Sequence, residues 1–415
     1  MTKHVAIIGA GIVGACCAAW LQRKNVRVTL IERDAPGEGT SFGNAGSLSP
    51  TAVTPVATPG MLRQIPRWLL DPLGPLTVRL SYLPVAMPWL IRFLRCANSA
   101  QMWKSAYALR PLLAPLFECY EPIVKHASAD DLIRREGIIY VYDSEADFNA
   151  SRPGETIRRK LGAVLNDVSA TDIQRMAPGI APRFRWGTYA PENGFTVNPH
   201  RLTRALVDRV VADGGALLRG EARNIKSGNG EVCLQIRREA GNDSLAADAV
   251  VVAAGAWSHH LARRVGDRIP LETQRGYHVT VANSGVQVSR MINWVRPRVF
   301  ATPMEAGMRF AGTVEIAGLK AEPNWKRADN LLELGQRMFP DMKTDSVSRW
   351  MGHRPCLPDS LPVIGPSAHA KNVFYAFGHG HIGMCSASAT GRTVAELVNG
   401  EDPQIDISPF RASRF

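Results

Sequence analysis

Three glycines, Gly9, Gly11 and Gly14, follow directly on the apolar run His4–Ile8 and precede a helix-forming stretch, Ala15–Arg23. In this G-x-G-x-x-G spacing the first glycine permits a tight turn. The second lets backbone approach a pyrophosphate, and the third lets the helix pack closely on the strand. The helix N-terminus supplies unpaired N–H groups and the positive end of the peptide dipoles to phosphate oxygens, with Ile12 and Val13 of the loop among the candidate cofactor contacts. Glu32 ends the next apolar run, Arg27–Ile31, where a carboxylate accepts from ribose hydroxyls, and Arg33 follows it. That chemistry is dinucleotide binding. The surrounding strand, turn, helix and second strand make it far more specific than an isolated glycine triplet.

A second glycine-rich turn, Gly39 to Gly46, comes immediately after the ribose acid and contains Thr40, Ser41, Phe42, Gly43, Asn44 and Ala45. Small polar residues there suit a ligand that continues across the sheet toward a flavin ring. Two more such places lie far along the chain: Ala254, Gly255 and Trp257 after the apolar strand Ala249–Ala253, and Gly378, His379, Gly380, His381, Ile382 and Gly383 after the strand Val373–Phe377. Glycine sites at opposite ends of a chain fit a cofactor held by discontinuous segments, which favours FAD over NAD.

The elements that position these residues follow from pattern. Strands are expected at Gly137–Tyr142, Tyr277–Val281, Val299–Pro303 and Met308–Thr313, and helices near His200–Asp213 and Ala328–Phe339. A hairpin is signalled by Gly228, Asn229 and Gly230, and the last helix is stopped by Gly400. At 415 residues the chain is long enough for two domains. Lys plus Arg exceed Asp plus Glu by 49 to 37, but without a run of basic residues or interleaved aromatics, so no nucleic-acid partner is expected. The 7 cysteines show no CxxC and no metal spacing, which points to a reducing, cytoplasmic setting and to no metal. The segment Lys3–Ala19 mimics a signal peptide, but its spaced glycines give it another purpose.

Taken together, VAIIGAGIVG, ERDAPGEGTSFGNAG, RGYHVT at Arg275–Thr280, GHRPCLPDSLPVIG at Gly352–Gly365 and GHGHIG at Gly378–Gly383 resemble the D-amino-acid oxidase superfamily of FAD enzymes. Within it the wording is most similar to bacterial D-amino-acid dehydrogenases, including the hydroxy-D-proline branch. The resemblance spans nearly the whole chain. It implies an α/β fold: a Rossmann-type FAD-binding domain (1–50, 192–265 and 350–415) interleaved with an α+β substrate domain on an antiparallel sheet (51–191 and 266–349). It also implies non-covalent FAD, with Ala222 among its contacts and Cys385 not attached to it.

The resemblance further implies oxidation of a D-amino acid by hydride transfer from the α-carbon to the flavin. Arg354 is then the first candidate for the substrate carboxylate, because a guanidinium is a rigid two-pronged donor; the alternative is an arginine paired with Asp359. Tyr277 is a second candidate donor or plain core, Arg309 an alternative clamp, and His379 sits at the flavin edge. The segment Met61–Arg95, which combines Trp68, Leu69, Leu70, Trp89, Leu90 and Ile91 with five arginines, suits either docking on the inner face of an anionic membrane, where a quinone takes the electrons, or core helices. Its prolines and short apolar runs exclude a span. The competing activity is a soluble amine or imino-acid oxidase of the glycine or sarcosine type, which uses oxygen and makes hydrogen peroxide.

Overall fold

The computed structural model describes residues 2–59, 74, 76–228 and 230–415. A six-stranded sheet runs in the order Ala216–Arg219, Arg27–Glu32, His4–Ile8, Ala249–Val252, Val373–Phe377, Val363–Pro366. The first five are parallel neighbours, and the last is antiparallel. The central strands His4–Ile8 and Ala249–Val252 are buried along their whole length, as a parallel sheet covered on both faces requires.

One face carries the helices Ile12–Gln22 and Gly383–Val398. They approach closely at Gly391, where a Cβ would lie 2.6 Å from Cys16 O. The opposite face carries the three-stranded meander Glu221–Gly228, Glu231–Arg238 and Gly241–Ala247. Its alternate residues Val232, Leu234 and Ile236 turn inward against Ile8, Val250 and Val252. The hairpin expected at Gly228–Gly230 joins its first two strands, although Asn229 lies outside the described residues.

The second large sheet is ordered Ser346–Cys356, Glu272–Ala282, Gly307–Ile316, Val299–Met304, Met291–Trp294, Ile138–Tyr142, Trp186–Ala190, Asn166–Val168, with Leu76–Val78 beside Gly307–Ile316. Most pairs are antiparallel, as expected. Two, Met291–Trp294 with Ile138–Tyr142 and Gly307–Ile316 with Leu76–Val78, are parallel. The helix Lys326–Met338 covers one face, burying Ala328, Leu331 and Met338 with Phe310. The strand Ser346–Cys356, which carries Arg354, has no alternating pattern and is absent from the periodicity reading; it is an edge strand with its long partner on one side only.

The helices Ser99–Leu113 and Leu116–His126 pack into the same core as the nucleotide sheet: Leu109, Leu112, Leu116 and Tyr120 share it with Val5, Ile7 and Ala387. In the segment 61–95, Trp68, Leu69 and Leu70 lie outside the described residues. The helix Leu83–Arg95 is described, and its Ala86, Trp89 and Phe93 form a buried stripe, so Trp89 is core and donates its indole N–H to Cys356 O at 3.3 Å. Val85, Met87 and Ile91 on the other side are exposed. Among the described residues no helix is long and apolar enough to cross a membrane.

Candidate active site

A cavity of about 1060 Å³ opens at the carboxyl end of the parallel strands, the position at which open α/β sheets bind ligands. The three glycines divide the work there. Gly9 has φ +105°, and a Cβ would lie 2.4 Å from Ala253 O; at Gly14 a Cβ would lie 1.9 Å from Gly9 O. Both positions are closed to any side chain. Gly11 differs: a Cβ there meets only Ser41 Oγ, at 3.3 Å, so its missing side chain leaves open space in the cavity wall. As N-cap of its helix Gly11 offers no side-chain acceptor, and Ser41 Oγ takes the Ile12 amide at 2.9 Å.

Glu32 accepts from the amides of Ala10 (2.7 Å) and Arg33 (2.9 Å), locking the glycine loop to the end of the second strand. Burial raises its carboxyl above the ordinary range, and these amide bonds oppose that. Arg33 stacks its guanidinium 3.8 Å from the centre of the Trp257 ring, and both line the cavity.

Of the residues assigned to the cofactor from sequence, Gly9, Gly11, Ile12, Val13, Glu32, Arg33, Thr40, Ser41, Asn44, Ala222, Ala254, Gly255, Trp257, His379, Gly380 and Gly383 line this one cavity. Gly14, Ala45, Gly46, Gly378, His381 and Ile382 are not in its wall. Gly14 serves packing. Ala45 O accepts from Thr302 Oγ1 at 2.8 Å, and Gly46 (φ +80°) runs so close to Thr196 O that a Cβ would lie 2.6 Å from it. Gly378 (φ +83°) is backed by Leu357, and Ile382 is buried in the helical core.

Sequence reasoning missed Gly37, Gly220, Arg223, Arg263, Arg264, Leu319, Lys320 and Pro355, all in the wall. Leu319 and Lys320 had no local signal. They reach the cavity on a loop pinned by the fully buried Arg275, which donates to Gly318 O at 3.0 Å, to Glu322 O at 3.1 Å and to Ala321 O.

The three candidate substrate residues fare differently. Tyr277 is 1% exposed and spent: its hydroxyl donates to Glu315 Oε2 at 2.5 Å and accepts the Asn324 amide at 3.0 Å. Arg309 is spent too. Its Nε donates to Thr280 Oγ1 (3.2 Å) and its Nη1 to Asn44 O (2.8 Å), tying the second glycine turn to the large sheet, while burial lowers its pKa to about 10.

Arg354 is the exception. Its guanidinium lies over Gly276, where a Cβ would come within 2.2 Å of Nη2, and its hydrogen bond to protein is from Nη1 to Thr313 O at 3.1 Å. The carboxylate considered for it, Asp359, pairs with Arg414 at 2.8 Å instead. Among the described residues no carboxylate faces Arg354, and desolvation lowers its pKa.

The final glycine loop joins this place to the cavity. Gly380 N–H donates to Pro355 O at 2.7 Å, so the loop and the residue after Arg354 are bonded together and both line the wall. His379 is buried, its Nε2 within 3.1 Å of Thr390 Oγ1, and burial takes its pKa down to about 3. His381 is lowered to about 4 by burial and then by Arg354 and Arg298. Cys385 donates to Ser47 O at 3.2 Å, accepts from the Ser49 amide and is pushed up to about 11 by burial, so its thiol is protonated and occupied.

A cavity of this size, with open glycines at Gly11 and Gly255, a helix N-terminus and an acid at the ribose position, fits a dinucleotide.

Comparisons with known proteins agree. The family described as DAO, FAD dependent oxidoreductase, matches residues 4–397. The chain is similar to a D-amino-acid oxidase of Bradyrhizobium diazoefficiens, 41% identical over 100% of this chain and 99% of the relative. It is 30% identical to a D-amino acid dehydrogenase of Paramagnetospirillum magneticum over 99% of this chain and 98% of the relative. Its fold is that of the glycine oxidase of Geobacillus kaustophilus, with a TM-score of 0.73 at 22% identity and 100% of both chains covered. The chain therefore belongs to the DAO family of FAD-dependent oxidoreductases and is an FAD-binding enzyme.

Proposed function

We propose that this enzyme oxidises D-amino acids at the α-carbon, with the substrate carboxylate held by Arg354. The observation that carries the reading is the contrast among three arginines of the large sheet. Arg275 and Arg309 give their donors to backbone carbonyls and Thr280 Oγ1, whereas among the described residues Arg354 has Thr313 O as its hydrogen-bond partner and adjoins Pro355 of the cavity wall. A buried guanidinium with no anion is costly, and a ligand carboxylate is the natural remedy. Two relatives named for D-amino acids support the substrate class.

FAD would lie along the cavity, its pyrophosphate at Gly11 and the helix start, its ribose at Glu32 and its ring toward Gly380 and Pro355. When bound it supplies the hydride acceptor for the hydrogen leaving the α-carbon. The protein's share is positioning and exclusion of water. Arg354 fixes the carboxylate. The substrate amine must be neutral before hydride can depart. The imine product hydrolyses to a 2-oxo acid and ammonia, or stays cyclic where the substrate is a D-proline. Tyr277 and Arg309 are assigned to architecture, and His379 to the backbone of the final loop.

The domain division at 1–50, 192–265 and 350–415 against 51–191 and 266–349 is supported by the membership of the six-stranded sheet, but the strand Ser346–Cys356 of the large sheet crosses the boundary at 350 and favours moving it past Cys356. The core shared by the helices Ser99–Leu113 and Leu116–His126 favours adding them to the FAD part. For the acceptor, the exposed apolar residues Val85, Met87 and Ile91 beside Arg92 and Arg95 favour a quinone at an anionic membrane surface. The oxidase relative favours the second reading, oxygen with release of hydrogen peroxide.

A panel of D- and L-amino acids and D-prolines, assayed by dye reduction with and without oxygen, tests the whole reading. D-amino acids should reduce the dye and their L-enantiomers should not. Oxygen uptake without dye would select the oxidase reading, and inertness toward every D-amino acid would overturn the proposal.

A further inference from the structure

The loop that follows the strand Gly307–Ile316, residues 317–323, belongs to the large sheet, yet it carries Leu319 and Lys320 into the wall of the nucleotide cavity. Its backbone is held from within the sheet. The fully buried Arg275 donates to the carbonyls of Gly318, Ala321 and Glu322, and Arg79 Nη2 donates to Glu322 O at 3.1 Å. Gly318 stands at φ +66° with the Tyr82 ring against it, where a Cβ would lie 2.6 Å from Cε2. A loop whose carbonyls are taken up in this way is preformed. The two guanidinium groups that hold it are matched by Glu315, at 3.6 Å from Arg275 and 3.7 Å from Arg79, so their charge is spent inside the sheet.

The charges in the cavity wall do not balance. Arg33 pairs with Asp34 at 2.9 Å and Arg223 with Glu221 at 2.7 Å. What remains is Glu32, bound to backbone amides, against Arg263, Arg264 and Lys320. The wall keeps a positive excess, and a ligand with a negative charge on each of its phosphates neutralises it. Arg263 and Arg264 lie in the last turn of the helix Ser258–Val265, where basic side chains also complement the peptide dipoles. Lys320 has no such second reason for its place. Among the described residues it has no hydrogen-bond or ion-pair partner, and it is exposed where it lines the cavity.

We propose that Lys320 is a cofactor-binding residue: its ammonium group, carried on this preformed strap, neutralises the diphosphate of FAD. The glycine loop and the helix start offer the phosphates backbone dipoles alone. A lysine adds a full charge on a flexible stem, which acts on a phosphate without a fixed two-pronged geometry. The large sheet thereby takes part in holding the cofactor, through Arg275 beneath the strap and Lys320 upon it. Because Lys320 is exposed, water and salt screen its charge, and its share of FAD retention is roughly 3–10-fold rather than the whole.

The test uses the FAD-loaded enzyme and measures the flavin that passes an ultrafiltration membrane over a series of protein dilutions, with ADP or adenosine added as competitor. Lys320→Gln should hold FAD roughly 3–10-fold more weakly than wild type at low ionic strength. The gap should close toward about 1 M salt, where the screening length is about 3 Å. ADP, which has the diphosphate, should lose affinity for the variant by the same factor, and adenosine, which lacks it, should lose none. Lys320→Arg should hold FAD as wild type does. Wild-type retention of FAD by Lys320→Gln overturns the inference. So does a loss that is equal for ADP and adenosine, or one that persists unchanged at high salt, since packing and not charge would then be its cause. Substrate oxidation does not enter the measurement, so its outcome stands apart from the reading of Arg354.

Discussion

The nucleotide cavity and the arginine-bearing end of the large sheet solve recognition in opposite ways. At the cavity the chain recognises through backbone: Gly9 and Gly14 are fixed by contacts of 2.4 and 1.9 Å that no side chain survives, and Gly11 is left open. At the sheet the chain recognises through side chains, and identical residues have unlike roles. Arg275 is fully buried and structural, Arg309 is a tether, and Arg354, with Thr313 O as its hydrogen-bond partner among the described residues, is the proposed carboxylate clamp. Residue type and local spacing therefore suffice to find the first site. The second depends on what each guanidinium already holds.

The largest effect expected from breaking the backbone site is at Gly14. Gly14→Ala forces a Cβ against Gly9 O, so the protein should be purified without flavin or not at all. The visible flavin band per mole of protein measures this, and near-stoichiometric flavin in the variant would refute the packing role.

A smaller effect is expected at Arg309. Arg309→Gln removes bonds to Thr280 and Asn44, at about 1.5–3 kcal/mol for a charged hydrogen bond. It should lower Tm and loosen FAD. If it instead abolished substrate binding while holding flavin at wild-type affinity, Arg309 and not Arg354 would be the clamp.

Tyr277→Phe sharpens the contrast further, since the Tyr277 hydroxyl donates a hydrogen bond to the buried Glu315. Stability should fall by about 1–3 kcal/mol, with turnover per bound flavin retained. Loss of turnover at unchanged Tm would return Tyr277 to the substrate site.

The mildest effect is a dependence on pH. His278 and His379 are lowered to about 3 and His353 to about 4, from an ordinary 6.5, chiefly by burial. As pH falls below 6.5 the unfolded chain binds protons at these rings and the folded chain does not. Their contribution is complete above pH 6.5 and is lost as pH drops toward about 4. Tm should decline across that window. A Tm that is flat there would mean the rings are not buried neutral.

How far each region was legible in the sequence follows the same division. The strand His4–Ile8, its turn and its helix are encoded by neighbours in sequence; the strand stands where the pattern places it, and the helix begins three residues early, at Ile12 rather than Ala15. The helix near Ala328–Phe339 and the strand Val373–Phe377 are likewise local patterns; the first is displaced by two residues or fewer and the second is unchanged. The roles of Arg309 and Arg354 depend on register, Thr280 opposite Arg309 and Gln274 opposite Arg354, and alternation along one strand says nothing about its partner. Leu319 and Lys320 reach the cavity only because a distant buried Arg275 holds their loop. The helices Ser99–Leu113 and Leu116–His126 show the same limit: an amphipathic pattern marks a face for burial without naming the core that receives it.

The most direct test of amino-acid oxidation with Arg354 as the carboxylate clamp is anaerobic mixing of the flavin-loaded enzyme with D-amino acids, comparing wild type with Arg354→Gln by bleaching of the oxidised flavin band. The wild type should bleach. The variant should keep its flavin and lose roughly 10²–10³-fold in kcat/KM, the cost of leaving one partner of a buried ion pair alone. Equal bleaching in both proteins would remove Arg354 from the site, and no bleaching of the wild type by any D-amino acid would contradict the assigned chemistry.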